Sequence, residues 1–235
     1  MKFCLSAISF LFIASSGYAQ CPPIGPTPTT LRIRTTHFLI CEDTTTSAAS
    51  SDYITEVSTT AEEVWTFVVI SSGFRNPPGT VAISTADTQR IPIVIEGRGV
   101  GDFGSTNAAT PPRIRIDDDY ASADGWTTSG SDGLRTTLVH EFLHAAQQAY
   151  VNPTTVWQPT TMNWVWEGTG AWIEDEFPQT DSINTYLDSH EGYARLFWDS
   201  PEISLDQRVG GPVHYGPMLF YKYLTEHGIS IRQLV

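Results

Sequence analysis

The amino-acid sequence predicts an α+β fold in which a strand-rich region precedes a mainly helical one. Residues 31–40 alternate apolar and polar side chains, as a strand with one buried face does. Three more short segments, at 80–83, 91–95 and 113–116, are β-rich, and glycines separate the last two. From about residue 131 onward, the apolar residues instead recur at helical spacing.

Helices are predicted from this spacing together with capping residues. Ser51 or Asp52 can accept a hydrogen bond at the start of the first helix, and Ser131 or Asp132 can do so for the second. Gly73 is typical of the position just after a helix end. The predicted helices cover about residues 52–72, 132–150, 164–176, 181–189 and 215–227.

The first 19 residues have the pattern of a secretory signal peptide. Lys2 precedes a mostly apolar run, and Gly17-Tyr18-Ala19 places small residues where a signal peptidase reads them. We therefore predict cleavage after Ala19 and a secreted protein, with the periplasm or the cell surface as alternative destinations.

The remaining residues, 20–235, are predicted to form one domain. Its sheet-rich lobe covers about residues 30–150, and its helical lobe covers about 151–235. The sequence ends on an apolar, helix-like stretch without a stop signal, so we expect the natural fold to continue beyond Val235 or to be completed by other residues.

Two cysteines remain once the signal peptide, and Cys4 with it, is removed. In an exported protein, Cys21 and Cys41 predict one disulfide that closes a short N-terminal loop. Two alternatives stay open: both thiols are free, or Cys21 carries a lipid. Gln20 disfavours the lipid, because a lipid-modified cysteine normally follows a small residue.

The chain is strongly acidic, with a net charge of −13 at pH 7. Such a chain repels phosphate backbones and anionic lipids, so nucleic acid and membrane surfaces are poor partners. After the signal peptide, no apolar run is long enough to span a bilayer. These observations do not indicate an oligomeric state.

The second predicted helix contains the motif HEFLH at residues 140–144. Two histidines four positions apart lie one turn from each other on one helix face, so His140 and His144 can reach one metal ion. Glu141 projects beside such an ion, where it can take a proton from a water held by the metal. The alternative is a pair of ordinary surface histidines beside a solvated glutamate.

A catalytic zinc ion needs a third protein ligand and an open position for water. No histidine follows His144 at the short spacing of a three-histidine site, but WVWEGTGAWIEDE begins 20 residues later and offers several carboxylates. Glu167 and Glu174 are seven apart and share one helix face, which a helical hairpin would bring back against the histidines. Two histidines and one glutamate form a known set of ligands for hydrolytic zinc.

HEFLH followed by an EG-containing helix resembles the gluzincin metallopeptidases. The resemblance is closer to a group of largely uncharacterised exported bacterial metalloproteases. These carry an HExFHAxQ helix, a W-x-x-EGTA-x-W-x-ED segment and a late YG-x-x-x-F helix. The matching stretches here are HEFLHAAQ at 140–147, WVWEGTGAWIED at 164–175 and YGPMLF at 215–220, of which the first two are specific.

The resemblance implies a zincin-like fold, with an N-terminal twisted mixed sheet and helices, an active-site helix and a mainly helical C-terminal part. It also implies one catalytic Zn²⁺ ion bound by His140, His144 and Glu167, the glutamate of the EG pair. One turn later, where the thermolysin-like pattern has an aspartate, this chain has Ala171. Glu174 is therefore the candidate for orienting a ligand histidine, and it remains the alternative ligand.

The expected function is that of a secreted zinc peptidase in which Glu141 activates the attacking water. Tyr215, at the start of the last predicted helix, is the expected donor to the developing oxyanion, although a tyrosine that only packs there is the alternative. By analogy, strand 113–116 is expected to be the sheet edge along which a peptide or protein substrate pairs. The other functions considered are a zinc hydrolase acting on a different bond and a degenerate metal-binding surface module.

Overall fold

The computed structural model describes residues 21, 29–83, 86–99, 102–120, 130–150, 162–178, 198–199, 201–205 and 215–233. The strands are β1 (Thr29–Arg34), β2 (Phe38–Asp43), β3 (Ile91–Glu96), β4 (Gly104–Asn107) and β5 (Arg113–Asp117). The helices are α1 (Ser51–Trp65), α2 (Gly130–Gln147), α3 (Asn163–Glu176) and α4 (Met218–Glu226). A π-helical segment, Thr66–Ser71, extends α1, and 3-10 turns lie at Asp87–Gln89 and Ile231–Gln233. The predicted α+β class is confirmed.

Within the described residues, the strands form one mixed sheet in the order β1-β2-β3-β5-β4. The three central strands, β2, β3 and β5, are parallel. At the two edges, β1 and β4 are antiparallel to their neighbours. β2 and β3 are buried along their whole length, as expected for parallel strands that are covered on both faces.

The single strand predicted at 31–40 is wrong, because the chain turns back within it. β1 and β2 form an antiparallel hairpin in which Leu31 is opposite Cys41. Thr35 closes the turn: its backbone N–H donates to the carbonyl of Phe38 at 3.0 Å, and its hydroxyl accepts from the N–H of Phe38 at 3.0 Å. Threonine fits both an alternating strand pattern and a hydrogen-bonded turn, so the pattern alone concealed the turn.

Two further predictions about strands are wrong, one about the presence of a strand and one about its position in the sheet. Residues 80–83 do not form a strand but follow a turn and then bend. The N–H of Thr80 donates to the carbonyl of Pro77 and closes the turn. Gly79 lies within this turn, and its φ of 78° is in the left-handed region. Segment 113–116 is a strand as predicted, β5, but it is not the sheet edge, because β4 pairs along its outer side. β4 has the sequence GSTN, and its small polar residues give no apolar alternation by which it could have been predicted.

The main core lies where α1 and α2 pack on one face of the sheet. At its centre, the rings of Phe38, Trp65 and Phe142 have centroids 5.6 to 6.1 Å apart. β3 and β5 add five buried isoleucines, Ile91, Ile93, Ile95, Ile114 and Ile116. Burial of this apolar surface fixes the position of α2 against the sheet.

The helix ends differ by a few residues from the predictions. Ser50 caps α1, and its hydroxyl accepts from the N–H of Tyr53 at 3.1 Å. α2 begins at Gly130, just before its predicted caps. α4 begins at Met218, so Tyr215 lies in the preceding turn rather than in the helix. Adjacent serines and aspartates are nearly equivalent as caps, so the sequence does not choose between them.

The other face of the sheet carries the disulfide. Cys21 and Cys41 are bonded, with their Cα atoms 6.1 Å apart, as predicted. Together with Leu39 and Val94 they form a second buried cluster, against which Leu31 packs. The bond therefore ties the segment before β1 to the middle of the sheet.

No helix in the described part of the chain is both long and apolar enough to cross a membrane. The predicted signal peptide, residues 1–19, and the predicted helix at 181–189 lie outside the described residues. The predicted helical lobe is described mainly through α3, α4 and their flanking residues.

Replacing both Cys21 and Cys41 by alanine is expected to lower the free energy of unfolding by roughly 3 kcal/mol. The bond joins residues 20 positions apart and so restricts the unfolded chain. Urea denaturation of the oxidised wild type, the reduced wild type and the double variant measures the effect. The reduced wild type should match the variant, and equal stability of all three proteins would contradict a stabilising role for the bond.

Candidate metal centre

The HEFLH motif lies in the buried part of α2. The helix contacts β4 and β5 of the sheet and packs against α3. His140, Glu141 and His144 are only 7–9% exposed. The two imidazole rings have centroids 4.6 Å apart and are nearly perpendicular. Buried polar groups of this kind need partners, because leaving them unpaired away from water is costly.

α3 brings a carboxylate to both rings. Oε2 of Glu167 lies 3.2 Å from Nε2 of His140 and 3.7 Å from Nε2 of His144. Potential ligand atoms of the three residues all lie within 4.8 Å of one another. The structure thus brings together the three side chains that were expected from the sequence to hold a metal.

This close approach depends on two glycines of α3. A Cβ atom at Gly170 would lie 2.4 Å from Cε1 of His140, closer than real Cβ contacts come. At Gly168 a Cβ atom would lie 2.9 Å from Pro217, in the turn before α4. The absence of side chains at these positions lets α3 lie directly between the histidines and α4.

Glu174 faces the opposite side of one histidine. Its Oε1 accepts a hydrogen bond from Nδ1 of His140 at 2.5 Å, so this ring lies between two carboxylates. Of the two glutamates considered from the sequence, Glu167 is the one placed at the Nε2 atoms of both rings. The position of Glu174 is that of a residue that orients a ligand histidine.

His144 has a neutral partner instead. Its Nδ1 lies 2.9 Å from Oε1 of Gln147, and the amide nitrogen of Gln147 donates to Oγ1 of Thr169 at 2.7 Å. The ring of Trp166 lies edge-on to His144, with centroids 5.7 Å apart. Sequence reasoning gave Gln147 no role, although it stands three positions after His144, where a helix brings two side chains together.

Glu141 has its partner on the edge strand. Oγ1 of Thr106, in β4, lies 2.8 Å from Oε2 of Glu141 and 2.7 Å from its backbone carbonyl. Gly104 allows the contact, because a Cβ atom there would lie 2.9 Å from Cγ of Glu141. The sequence gave no indication of Thr106, since β4 itself was not predicted.

Tyr215 lies beside His140. Its ring centroid is 6.1 Å from that of His140, with 58° between the ring planes. The side chain is partly exposed, so it can meet a ligand from the solvent side.

The carboxylates control the charge of the site. Burial opposes a charged imidazole, but Glu174 and Glu167 outweigh it and hold the pKa of His140 well above the usual histidine range. Burial likewise opposes a charged Glu167, but the hydrogen bond to His140 and the electrostatic attraction of the His140 and His144 rings hold its pKa far below the usual range. A metal cation that binds here must therefore displace a proton from His140.

The donor set fits a zinc ion. Two imidazole nitrogens and one carboxylate oxygen are ligands that Zn²⁺ accepts, and three protein ligands leave a position for water. The other nitrogen of each ring is already hydrogen-bonded, to Glu174 or to Gln147, which is typical of histidines that bind metal.

Comparison with known protein families and with curated proteins found no match. The resemblance to gluzincin metallopeptidases therefore depends on the quoted motifs. The interpretation of the site depends on its own geometry.

Glu167→Gln and Glu174→Gln form a matched pair, because each replaces a carboxylate by an amide of nearly the same size. We expect Glu174→Gln to weaken zinc binding roughly 10–100-fold, as loss of a partner of a ligand histidine does. Glu167→Gln should weaken it further, since it removes a charged ligand. Competition with a chromophoric chelator measures both affinities, and circular dichroism checks folding. If Glu174→Gln weakened zinc binding more than Glu167→Gln did, the ligand assignment would be contradicted.

Zinc binding at neutral pH is expected to release a proton from His140, because the raised pKa keeps the ring charged until a metal binds. In the absence of metal, this charge stabilises the fold fully below the unfolded histidine pKa. The stabilisation is lost as the pH rises through the raised pKa. Calorimetric titration with zinc in buffers of different ionisation enthalpy counts the released protons. Glu174→Gln should release fewer protons than the wild type. Equal proton release from the variant and the wild type would contradict the conclusion that Glu174 raises the pKa of His140.

Proposed function

We propose that the protein is an exported zinc-dependent peptidase that hydrolyses peptide bonds with water. The observation that carries the proposal is the convergence of His140, His144 and Glu167 on one point, with Glu141 alongside and held by a different partner. The disulfide supports export, because such bonds persist in oxidising compartments.

His140, His144 and Glu167 would hold the ion. Bound there, zinc supplies a Lewis acid that polarises the scissile carbonyl and lowers the pKa of water. The protein surroundings are well suited to this chemistry, because the histidines are largely buried and charge interactions are stronger away from bulk water.

Glu141 is the proposed general base. It adjoins the first ligand histidine in the chain, and on this proposal its carboxylate accepts a proton from the attacking water. The hydroxyl of Thr106 holds Oε2, which leaves Oε1 to take the proton. As the C–N bond breaks, Glu141 passes this proton to the departing amine and returns to its charged form.

Tyr215 is the proposed donor to the substrate oxygen. Negative charge develops on the carbonyl oxygen during attack, and a neutral hydroxyl nearby stabilises it. The position of the Tyr215 ring beside His140, together with its partial exposure, supports this role.

An extended peptide is the substrate that the sheet edge favours. β4 is the outer strand on this side of the described sheet, and its Thr106 contacts the proposed base. A peptide that paired with this edge would lie next to Glu141. A zinc hydrolase for another bond and a metal-binding surface module are the alternatives that the following experiment separates.

Glu141→Gln should retain zinc and the fold but lose peptidase activity by about 100-fold or more, because the amide cannot accept the proton from water. Tyr215→Phe, which keeps the ring beside His140, should lose less, mainly in kcat. Both are assayed on casein, with zinc content measured on the same samples and a chelator-treated wild type as the control. Full activity in Glu141→Gln would show that HEFLH is not the catalytic centre. Zinc binding without hydrolysis of casein or peptides by the wild type would favour the alternatives.

A further inference from the structure

Thr169 and Gln147 form a chain of hydrogen bonds that ends on His144. We propose that this chain fixes His144 in the tautomer that carries its proton on Nδ1 and leaves Nε2 free to bind a cation. The metal-binding part of the inference rests on the proposed function, whereas the tautomer itself does not.

The direction of the chain is set at its far end by backbone carbonyls. Oγ1 of Thr169 lies 2.5 Å from the carbonyl oxygen of Val165 and 3.0 Å from that of Trp166. A carbonyl only accepts, so the hydroxyl proton of Thr169 must point to one of these oxygens. The lone pairs of Oγ1 are then available to accept a bond from elsewhere.

The amide of Gln147 is oriented by that acceptor. Its –NH2 group donates to Oγ1 of Thr169 at 2.7 Å, which turns its carbonyl oxygen toward His144. This oxygen lies 2.9 Å from Nδ1 of His144 and can only accept. Nδ1 must therefore carry the hydrogen, and in the neutral ring Nε2 carries a lone pair instead.

Burial removes the alternatives that water would provide. Gln147 is 1% exposed and Thr169 is fully buried. A flipped amide would present –NH2 to Nδ1 and would pull the hydroxyl proton of Thr169 away from the carbonyls. Without water to replace the lost bonds, the flipped arrangement is disfavoured.

One interaction opposes the effect of this hydrogen-bond chain on the His144 tautomer. Glu167 would attract a proton onto Nε2 of His144, which would produce the other tautomer. The two atoms are 3.7 Å apart, however, which is too long for a hydrogen bond, whereas Nδ1 and Gln147 are at an ordinary hydrogen-bond distance. The Thr169–Gln147 chain therefore prevails, and Nε2 stays available at the point where Glu167 and His140 converge.

Thr169→Val and Thr169→Ser provide a matched test. Valine has the shape of threonine without the hydroxyl, so the amide of Gln147 loses the acceptor that orients it; serine keeps the hydroxyl. Gln147→Leu, which removes the amide, is the second variant should Thr169→Val fail to fold. The full-length mature chain is used throughout, with folding checked by circular dichroism.

The first measurement is long-range ¹H–¹⁵N correlation NMR of the histidine rings in chelator-treated protein. The wild type and Thr169→Ser should show the Nδ1–H tautomer at His144, and Thr169→Val or Gln147→Leu should shift the population toward Nε2–H. The second is zinc affinity by chelator competition, which should fall roughly 10-fold or more in the same two variants and remain near the wild-type value in Thr169→Ser.

An unchanged His144 tautomer in both Thr169→Val and Gln147→Leu would contradict the proposal that the Thr169–Gln147 hydrogen bonds fix this tautomer. So would a Thr169→Ser variant that behaves like Thr169→Val. If the wild type shows the expected tautomer and the variants lose it, but the wild type binds no zinc, the role of the Thr169–Gln147 hydrogen bonds is supported. The proposed function is then contradicted instead.

Discussion

Burial of charged and polar groups on α2 is the constraint on which the rest of the site depends. The helix carries His140, Glu141 and His144 into a layer whose other side chains are mostly apolar, and such groups are stable there only when they are paired. The partners come mainly from other elements. α3 supplies Glu167 and Glu174, and β4 supplies Thr106. The positions of α3 and β4 against α2 are therefore set by this pairing as well as by apolar packing.

The two histidines are equivalent in the motif but not in the fold. His140 lies between two carboxylates, which hold its proton firmly and make it a strong base. His144 is backed by the amide of Gln147, which orients the ring without adding charge. A carboxylate in place of this amide would add a further negative charge to a buried site that already holds Glu167 and Glu174.

The parts of the site that sequence reasoning predicted are those that follow from helix periodicity. A spacing of four residues places His140 and His144 on one face, and a spacing of seven does the same for Glu167 and Glu174. Periodicity does not determine whether Glu167 or Glu174 meets the Nε2 atoms of the two histidines. That depends on how α3 lies across α2, and hence on the close contact at Gly170. The choice between the two glutamates therefore needed the resemblance to a family.

The parts that were missed depend on contacts between distant segments. Thr106 holds Glu141 across 35 residues of sequence, from a strand with no apolar pattern. The turn at Thr35 was hidden because a β-branched residue that favours strands also formed the turn bonds. In both cases the local preference was too weak to decide the structure, and pairing with a neighbouring strand decided it.

The contact between β4 and Glu141 links the sheet edge to the proposed chemistry. Thr106 lies close to both the carboxylate and the backbone carbonyl of Glu141, so it holds the side chain and the helix backbone at the same point. Thr106 faces α2, whereas the backbone N–H and C=O groups on the outer side of β4 point outward in the plane of the sheet, the direction in which a further strand would pair. On the proposed function, a peptide that paired with β4 would tighten the strand that restrains the base. Substrate binding and positioning of Glu141 would then depend on the same four residues, Gly104–Asn107.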